Sequence, residues 1–129
     1  MSARLVLLLA AGLGFLAVAL GAFGAHGLKA RLGSEALSVW KTAVDYHFFH
    51  TLALGLTGLW MLRSDPVPGL LGSAAICFAL GVLVFSGSLY ALSLSGLRGL
   101  GAVTPLGGLL FLAGWALLGL AAWRLPSGG

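Results

Sequence analysis

Hydrophobic residues fall into four long blocks separated by short, more polar turns. The first block covers about residues 5–25 and contains no charged side chain. At about 1.5 Å of rise per residue, a helix of this length matches a hydrocarbon core of roughly 30 Å. Similar blocks cover about residues 44–63, 69–92 and 105–123. The pattern predicts an all-α protein, with residues 1–129 forming a single integral membrane domain, a four-helix transmembrane bundle.

The second block continues upstream into a stretch with alternating polar and apolar residues. From Glu35 to Arg63, glycine is the only weak helix former that could interrupt a helix. A helix of that length would be about 43 Å long and would exceed the bilayer core. We therefore predict an extended, partly amphipathic second helix, which starts at the membrane interface and crosses with its later part. Ser34 is the predicted N-cap.

The ends of the other helices are marked by proline and glycine. Pro66 and Pro68 stop the second helix, and Pro105 suits the first turn of the fourth. For the Gly-rich connection over residues 93–104, the sequence does not distinguish a surface loop from a re-entrant loop that dips back into the membrane.

A cleaved signal peptide is the alternative interpretation of the first block, with Arg4 as its charged start. Small residues at spacings of four favour a retained helix that packs closely on its neighbours. They are Ala10 and Gly14, followed by Ala17, Gly21 and Ala25.

Composition supports a membrane protein and argues against a soluble domain. The chain is 60% hydrophobic and 8% charged, whereas soluble domains carry roughly 25% charged residues. The net charge of +4 comes from scattered basic residues, which is typical of juxtamembrane loops and not of nucleic-acid binding. Cys77 is the only cysteine, so no internal disulfide can form. The lipid bilayer is the predicted partner.

Counting along the predicted helices brings polar side chains from all four to one end of the bundle. His50 lies thirteen residues before Arg63, about 20 Å along the helix axis. The same counting, from the ends of the other helices, predicts a polar cluster centred on His50 and a candidate ligand site. Its members are His26, Tyr46, His50, Ser86, Ser88, Tyr90 and Thr104.

Helical periodicity separates the polar residues of the second helix into faces. Lys41 and Asp45 lie four residues apart on the polar, water-facing side of the helix, which predicts an interfacial ion pair. Tyr46 and His50 share another face, which we predict to point into the bundle. We expect His47 to face headgroups or water. His50 is either a neutral imidazole bonded to a neighbouring helix or a proton relay or ligand-binding group.

No pattern of catalytic or metal-ligating residues is present. His47 and His50 lie on different faces, and no carboxylate or thiolate completes a metal or haem site with them. There is no nucleophile elbow, paired carboxylate or dinucleotide fingerprint. We therefore expect no catalytic residues, no metal and no cofactor.

Six segments near the helix ends carry distinctive motifs: Gly21-Ala-Phe-Gly-Ala-His26, Thr42-Ala-Val-Asp-Tyr46, His50-Thr-Leu-Ala53, Phe85-Ser-Gly-Ser-Leu-Tyr90, Thr104-Pro-Leu-Gly-Gly108 and Phe111-Leu-Ala-Gly-Trp115. Together they resemble the motifs of the YgdD-like small membrane proteins, a bacterial family of unknown function. The resemblance covers about residues 4–124 and implies a four-span inner-membrane protein with cytoplasmic termini, without implying an activity. Counts of Lys and Arg in the loops are too similar on the two sides to fix the orientation.

Three functions are compatible with these observations. The first is a non-enzymatic protein that forms a homo-oligomer or belongs to a larger membrane complex, since the helices carry small-residue stripes. The second is a small-molecule or lipid-binding protein, or a minimal transporter, that uses the polar cluster. The third is an enzyme acting on a lipid or quinone, which requires His50 to be reactive.

Overall fold

The computed structural model describes residues 1–128 and consists of four long helices. They are α1 (Ala3–His26), α2 (Ser34–Leu62), α3 (Gly69–Ser95) and α4 (Thr104–Trp123). No β-strand occurs in the described part of the chain. The predicted all-α fold and four helices are confirmed, and the extended α2 has the predicted length.

The helix ends follow local sequence signals with two departures from prediction. Gly33 is the N-cap of α2, and Ser34 is already helical, so the predicted capping role of Ser34 is wrong. α3 runs three residues past the predicted end at Leu92, and it stops where Gly96 adopts a left-handed φ of 70°. A short 3-10 helix, Arg98–Ala102, leads into α4.

The middle of α3 contains a π-helical segment, Val82–Ser86. Such a segment holds more residues per turn than an α-helix and changes the direction in which side chains point. The Ser86 hydroxyl donates to the Ala43 carbonyl of α2 at 2.7 Å. Phe85, the preceding residue, packs on Phe111 of α4 with its ring centroid 5.4 Å away. The π-helical segment therefore brings α3 into contact with both α2 and α4.

The core lies where α2, α3 and α4 meet, and it extends to the first half of α1. Leu54, Leu71 and Phe78 are fully buried there, together with Val6 of α1. A second, smaller cluster around Trp40 lies under the other end of α1. α3 packs on both α2 and α4, and α1 packs mainly on α2.

Two glycines permit the closest helix contacts. A Cβ atom on Gly107 would lie 2.4 Å from the backbone nitrogen of Phe85. A Cβ atom on Gly24 would lie 2.4 Å from Nε1 of Trp40. Because neither position has room for a side chain, these contacts require glycine, as close contacts between membrane helices often do.

The outward faces of the helices are apolar. Phe15, Leu56 and Leu112 expose 73%, 65% and 67% of their surfaces, as expected where lipid replaces water. Among residues 1–128, three segments are long and apolar enough to cross a bilayer: α1, α3 and residues Arg98–Trp123. α2 is not among them, because it carries polar side chains that include the buried His47, His50, Thr51 and Thr57. Its crossing, and the total of four spans, stay predictions.

Candidate functional site: polar contacts along the second helix

His50 is held by two hydrogen bonds that determine its protonation. Its Nδ1 lies 2.8 Å from the Tyr46 carbonyl oxygen, and the Trp115 indole donates to its Nε2 at 3.1 Å. A carbonyl only accepts and an indole N–H only donates. Nδ1 must therefore carry the proton and Nε2 must be bare, so this arrangement holds a neutral imidazole in one tautomer.

Aromatic rings surround the His50 side chain. Its ring stacks on Phe111 of α4 with centroids 3.5 Å apart and an interplanar angle of 11°. Trp115 lies edge-on at 6.0 Å, and Phe78 of α3 lies at the same centroid distance. Protonating Nε2 would place an N–H against the Trp115 N–H, so the ring cannot take up a proton without losing this contact.

His47, one turn from His50 on α2, has a different environment. It is only 3% exposed, so the expectation that it faces headgroups or water is wrong. Its Nδ1 lies 2.9 Å from the Tyr90 hydroxyl of α3. Its Nε2 has no hydrogen-bond partner within residues 1–128, and neither does the buried Oγ1 of Thr51. The Leu13 backbone of α1 lies beside the ring without meeting hydrogen-bond geometry.

Trp40 forms a polar contact that the sequence did not indicate. Its indole donates to the Leu20 carbonyl of α1 at 2.9 Å, and its ring lies 4.6 Å from that of Tyr90. A buried tryptophan usually finds an acceptor, which is a general signal. The acceptor here is a backbone carbonyl near the end of α1, and no side-chain pattern reveals it.

Ser88 and Thr104 join α3 to the start of α4. Their hydroxyl oxygens are 2.6 Å apart, and the Ser88 hydroxyl also lies 2.9 Å from the Phe85 carbonyl. Ser86, Ser88 and Thr104 thus all form hydrogen bonds within a helix or between helices. Their contacts are typical of the polar groups that hold membrane helices together.

Two members of the predicted cluster have exposed side chains, although the Tyr46 ring still stacks on His50 with centroids 5.7 Å apart. Tyr46 is 41% exposed, so the prediction that it points into the bundle is wrong. Its ring lies over Phe85 at 4.5 Å and covers the boundary of α2 with α3 and α4. His26 is the exposed last residue of α1, and it takes no part in the hydrogen bonds that connect the other members.

Lys41 and Asp45 approach each other at the exposed start of α2. Their charged atoms are 3.8 Å apart, and the side chains are 80% and 48% exposed. Water and salt screen such a pair strongly, so it contributes little to stability.

The polar residues therefore form several contacts along α2 and do not form one pocket. From Trp40 to His50 they extend over about 15 Å of helix. A groove of about 600 Å³ passes beside the His50 end and is open to the outside of the bundle. Tyr46, Phe85 and Trp115 line it, with Phe111 at its base. Within residues 1–128, no three His, Cys, Asp or Glu side chains are grouped as metal ligands.

Comparison with known proteins identifies the family. The family described as "Protein of unknown function (DUF423)" matches residues 20–108. The chain belongs to the DUF423 family. The UPF0382 inner membrane protein YgdD of Escherichia coli K12 is 44% identical over 129 residues, which cover 100% of this chain and 97% of YgdD. The YgdD-like resemblance is confirmed.

Other relatives come from Staphylococcus and Bacillus. The UPF0382 membrane protein SH2409 of Staphylococcus haemolyticus is 42% identical over 94% of this chain and 97% of its own length. YwdK of Bacillus subtilis, also named a UPF0382 membrane protein, is 42% identical over 83% of this chain and 86% of its own length. No solved structure matches. The relatives' names support a membrane location, and none of them states an activity.

Proposed function

We propose that this DUF423 chain is a non-enzymatic membrane protein that functions as a subunit, either of a homo-oligomer or of a larger membrane complex. The observation that carries the proposal is the state of His50. Both of its ring nitrogens are engaged by Tyr46 and Trp115, and its face is covered by Phe111. A histidine held in this way joins helices and has no free nitrogen with which to transfer a proton.

A groove between α1 and α2 supports assembly through a second copy. It has a volume of about 480 Å³ and is open to the outside of the bundle. Its floor contains Ala10, Ala11, Gly14 and Gly55, and small residues allow two helix backbones to approach closely in lipid. An apolar helix from another copy fits this groove better than flexible acyl chains do, because its side chains can pack against a surface of fixed shape.

Filling the groove tests assembly directly. Ala11→Leu and Gly55→Leu place a large side chain in the groove, and a Cβ on Gly55 would meet only Ala10 at an ordinary 3.8 Å. Gly119→Leu is the matched control, because a Cβ atom on that exposed glycine of α4 would have nothing within 4 Å. We expect native mass spectrometry from nanodiscs to show at least about tenfold less oligomer for the groove variants than for the control. A parent chain that is entirely monomeric would contradict the proposal.

Ligand binding is the second candidate function, and the aromatic groove beside His50 favours it. A flat apolar molecule or an acyl chain would fit between Tyr46 and Trp115. Gly108→Leu would fill this groove, since a Cβ there meets only the Phe85 ring at 3.9 Å. We expect mass spectrometry of a solvent extract to find a bound molecule with the parent and not with this variant. Equal recovery from both would exclude this site.

We further propose a bacterial inner-membrane location with four crossings and both termini in the cytoplasm. Support comes from the YgdD-like resemblance and from the name of the Escherichia coli relative. On α2, Lys41 and Arg63 are separated by about 33 Å, close to one hydrocarbon thickness. Reporter fusions after Arg124 should be active as fluorescent protein and inactive as alkaline phosphatase. The reverse pattern would overturn the orientation.

A further inference from the structure

A separate cleft lies between the last turn of α1 and the first turns of α2. It has a volume of about 500 Å³. Gly21, Ala25 and Val44 contribute to its apolar floor, and the charged side chains of Lys29, Lys41 and Asp45 lie at the cleft as well. None of the residues that contact His50 lines it. It therefore differs in place and in chemistry from the two apolar grooves.

One wall of this cleft is held rigidly. Trp40 lines the cleft, is 4% exposed, and donates its indole N–H to the Leu20 carbonyl. Its ring passes directly over Gly24, where a Cβ atom would lie only 2.4 Å from the indole nitrogen. The cleft consequently exists before any ligand arrives, which reduces the entropy lost on binding.

The charged groups lie at the level of lipid headgroups. Lys41 is about 33 Å along α2 from Arg63 at the opposite end, a distance close to the hydrocarbon thickness of a bilayer. Lys29 follows the last residue of α1 by three positions. Both amines therefore sit above the apolar floor, in the order in which a phospholipid presents its phosphate and its acyl chains.

The charges favour an anionic headgroup. Two ammonium groups and one carboxylate give the cleft a formal charge of +1. Asp45 offsets Lys41 only loosely, at 3.8 Å between exposed side chains, so Lys41 can turn toward a phosphate. Basic pockets between membrane helices bind anionic headgroups in this way. We propose that the cleft binds an anionic phospholipid, with its phosphodiester between Lys29 and Lys41 and an acyl chain against Gly21 and Ala25.

The test compares lipid binding to the full-length protein in mixed nanodiscs. Native mass spectrometry measures how much phosphatidylglycerol stays bound relative to phosphatidylcholine. Lys29→Gln/Lys41→Gln removes two charges from the cleft, and Arg63→Gln/Arg124→Gln removes two from the opposite end as the matched control. We expect about fivefold enrichment of phosphatidylglycerol with the parent and the control, and less than about twofold with the lysine variant.

A second variant separates the cleft from general surface charge. Ala25→Leu fills the apolar floor and keeps both lysines, and the thermal midpoint of the variant in phosphatidylcholine nanodiscs reports whether the fold is intact. Loss of enrichment in this variant supports a built cleft, whereas enrichment equal to that of the parent overturns it. Equal enrichment in the lysine variant would also overturn the proposal.

Two further arms distinguish the source of the phosphate. Inorganic phosphate added to phosphatidylcholine nanodiscs should not raise the thermal midpoint, while phosphatidylglycerol should. If the parent instead bound phosphatidylethanolamine preferentially and Asp45→Asn lost that preference, the ligand would be a zwitterionic lipid. That result would contradict the proposal. Assembly through the α1–α2 groove is measured by subunit count, so its failure would leave these lipid measurements unaffected.

Discussion

His47 and His50 lie one turn apart on α2, and both are buried, yet their surroundings are opposite. His50 has a partner at each ring nitrogen and a phenyl ring against its face. His47 has one partner, Tyr90. In the described part of the chain its other nitrogen is buried without a partner, as is the Thr51 hydroxyl one turn further on. Burial alone therefore says little about what a membrane histidine does.

The neighbouring helices explain the difference. α4 brings an indole and a phenyl ring to His50, whereas on the His47 side α1 meets Thr51 at Gly14, which has no side chain to offer. Unpaired buried polar groups are costly in a low dielectric. The His50 side should consequently be the more stable contact, and the His47 side the one that tolerates or gains from substitution.

The largest effect is expected from adding a side chain at Gly107, where α4, the helix that contacts His50, lies close to α3. Gly107→Ala would place a Cβ atom 2.4 Å from the Phe85 backbone and push α4 away from α3. Overpacking of this kind costs about 3 kcal/mol when the backbone has to move. Reversible unfolding in bicelles measures it, with Gly72→Ala as the control because nothing lies within 4 Å of a Cβ there. Equal stabilities would show that the two helices are not in close contact.

Removing the donor to His50 should have the next largest effect. Trp115→Phe keeps an aromatic ring and leaves Nε2 of His50 without a partner. We expect a loss of about 1–2 kcal/mol in the free energy of unfolding. Trp123→Phe, at an 86% exposed tryptophan, is the matched control and should be neutral. If both variants unfold alike, the bond from the indole does not stabilise the fold.

On the His47 side, Tyr90→Phe should cost less. The change removes the one hydrogen-bond partner of a ring whose other nitrogen is already unpaired. We expect a destabilisation of about 1 kcal/mol or less, since measured hydrogen bonds between membrane helices average about 0.6 kcal/mol. The same unfolding assay applies. A loss larger than that of Trp115→Phe would reverse the ranking of the two histidines.

The smallest effect, with the opposite sign, is expected at Thr51. Thr51→Val replaces an unpartnered buried hydroxyl by a methyl group of similar size, which should stabilise by about 0.5 kcal/mol. Thr57→Val is the contrast, because the Thr57 hydroxyl donates to the Ala53 carbonyl at 2.8 Å and should not gain. Destabilisation by Thr51→Val would indicate that this hydroxyl has a partner in the membrane.

Hydrophobic block lengths were sufficient to predict the four helices and the long α2. Blocks of this length leave few alternatives, because every backbone group in lipid must be bonded within a helix. The helix boundaries depended on finer signals, and the capping residue of α2 was missed because Gly33 and Ser34 are both acceptable N-caps.

The site was only partly predictable for a physical reason. Periodicity placed His47 on a different face from Tyr46 and His50, but it does not say which helix covers that face. Partners of Trp40 and Ser86 are backbone carbonyls, which every residue possesses and no sequence pattern distinguishes. The π-helical segment in α3, which sets where Phe85 and Ser86 point, also has no clear signature in the sequence.

The tautomer of His50 tests the central claim most directly. Solid-state nitrogen NMR of the full chain in lipid, with labelled histidine and His50→Gln to assign the signal, measures the protonation of each ring nitrogen. A structural histidine between Tyr46 and Trp115 predicts a neutral ring with a protonated Nδ1 and a bare Nε2. An imidazolium, or a proton on Nε2, would contradict it and return His50 to the candidates for proton transfer.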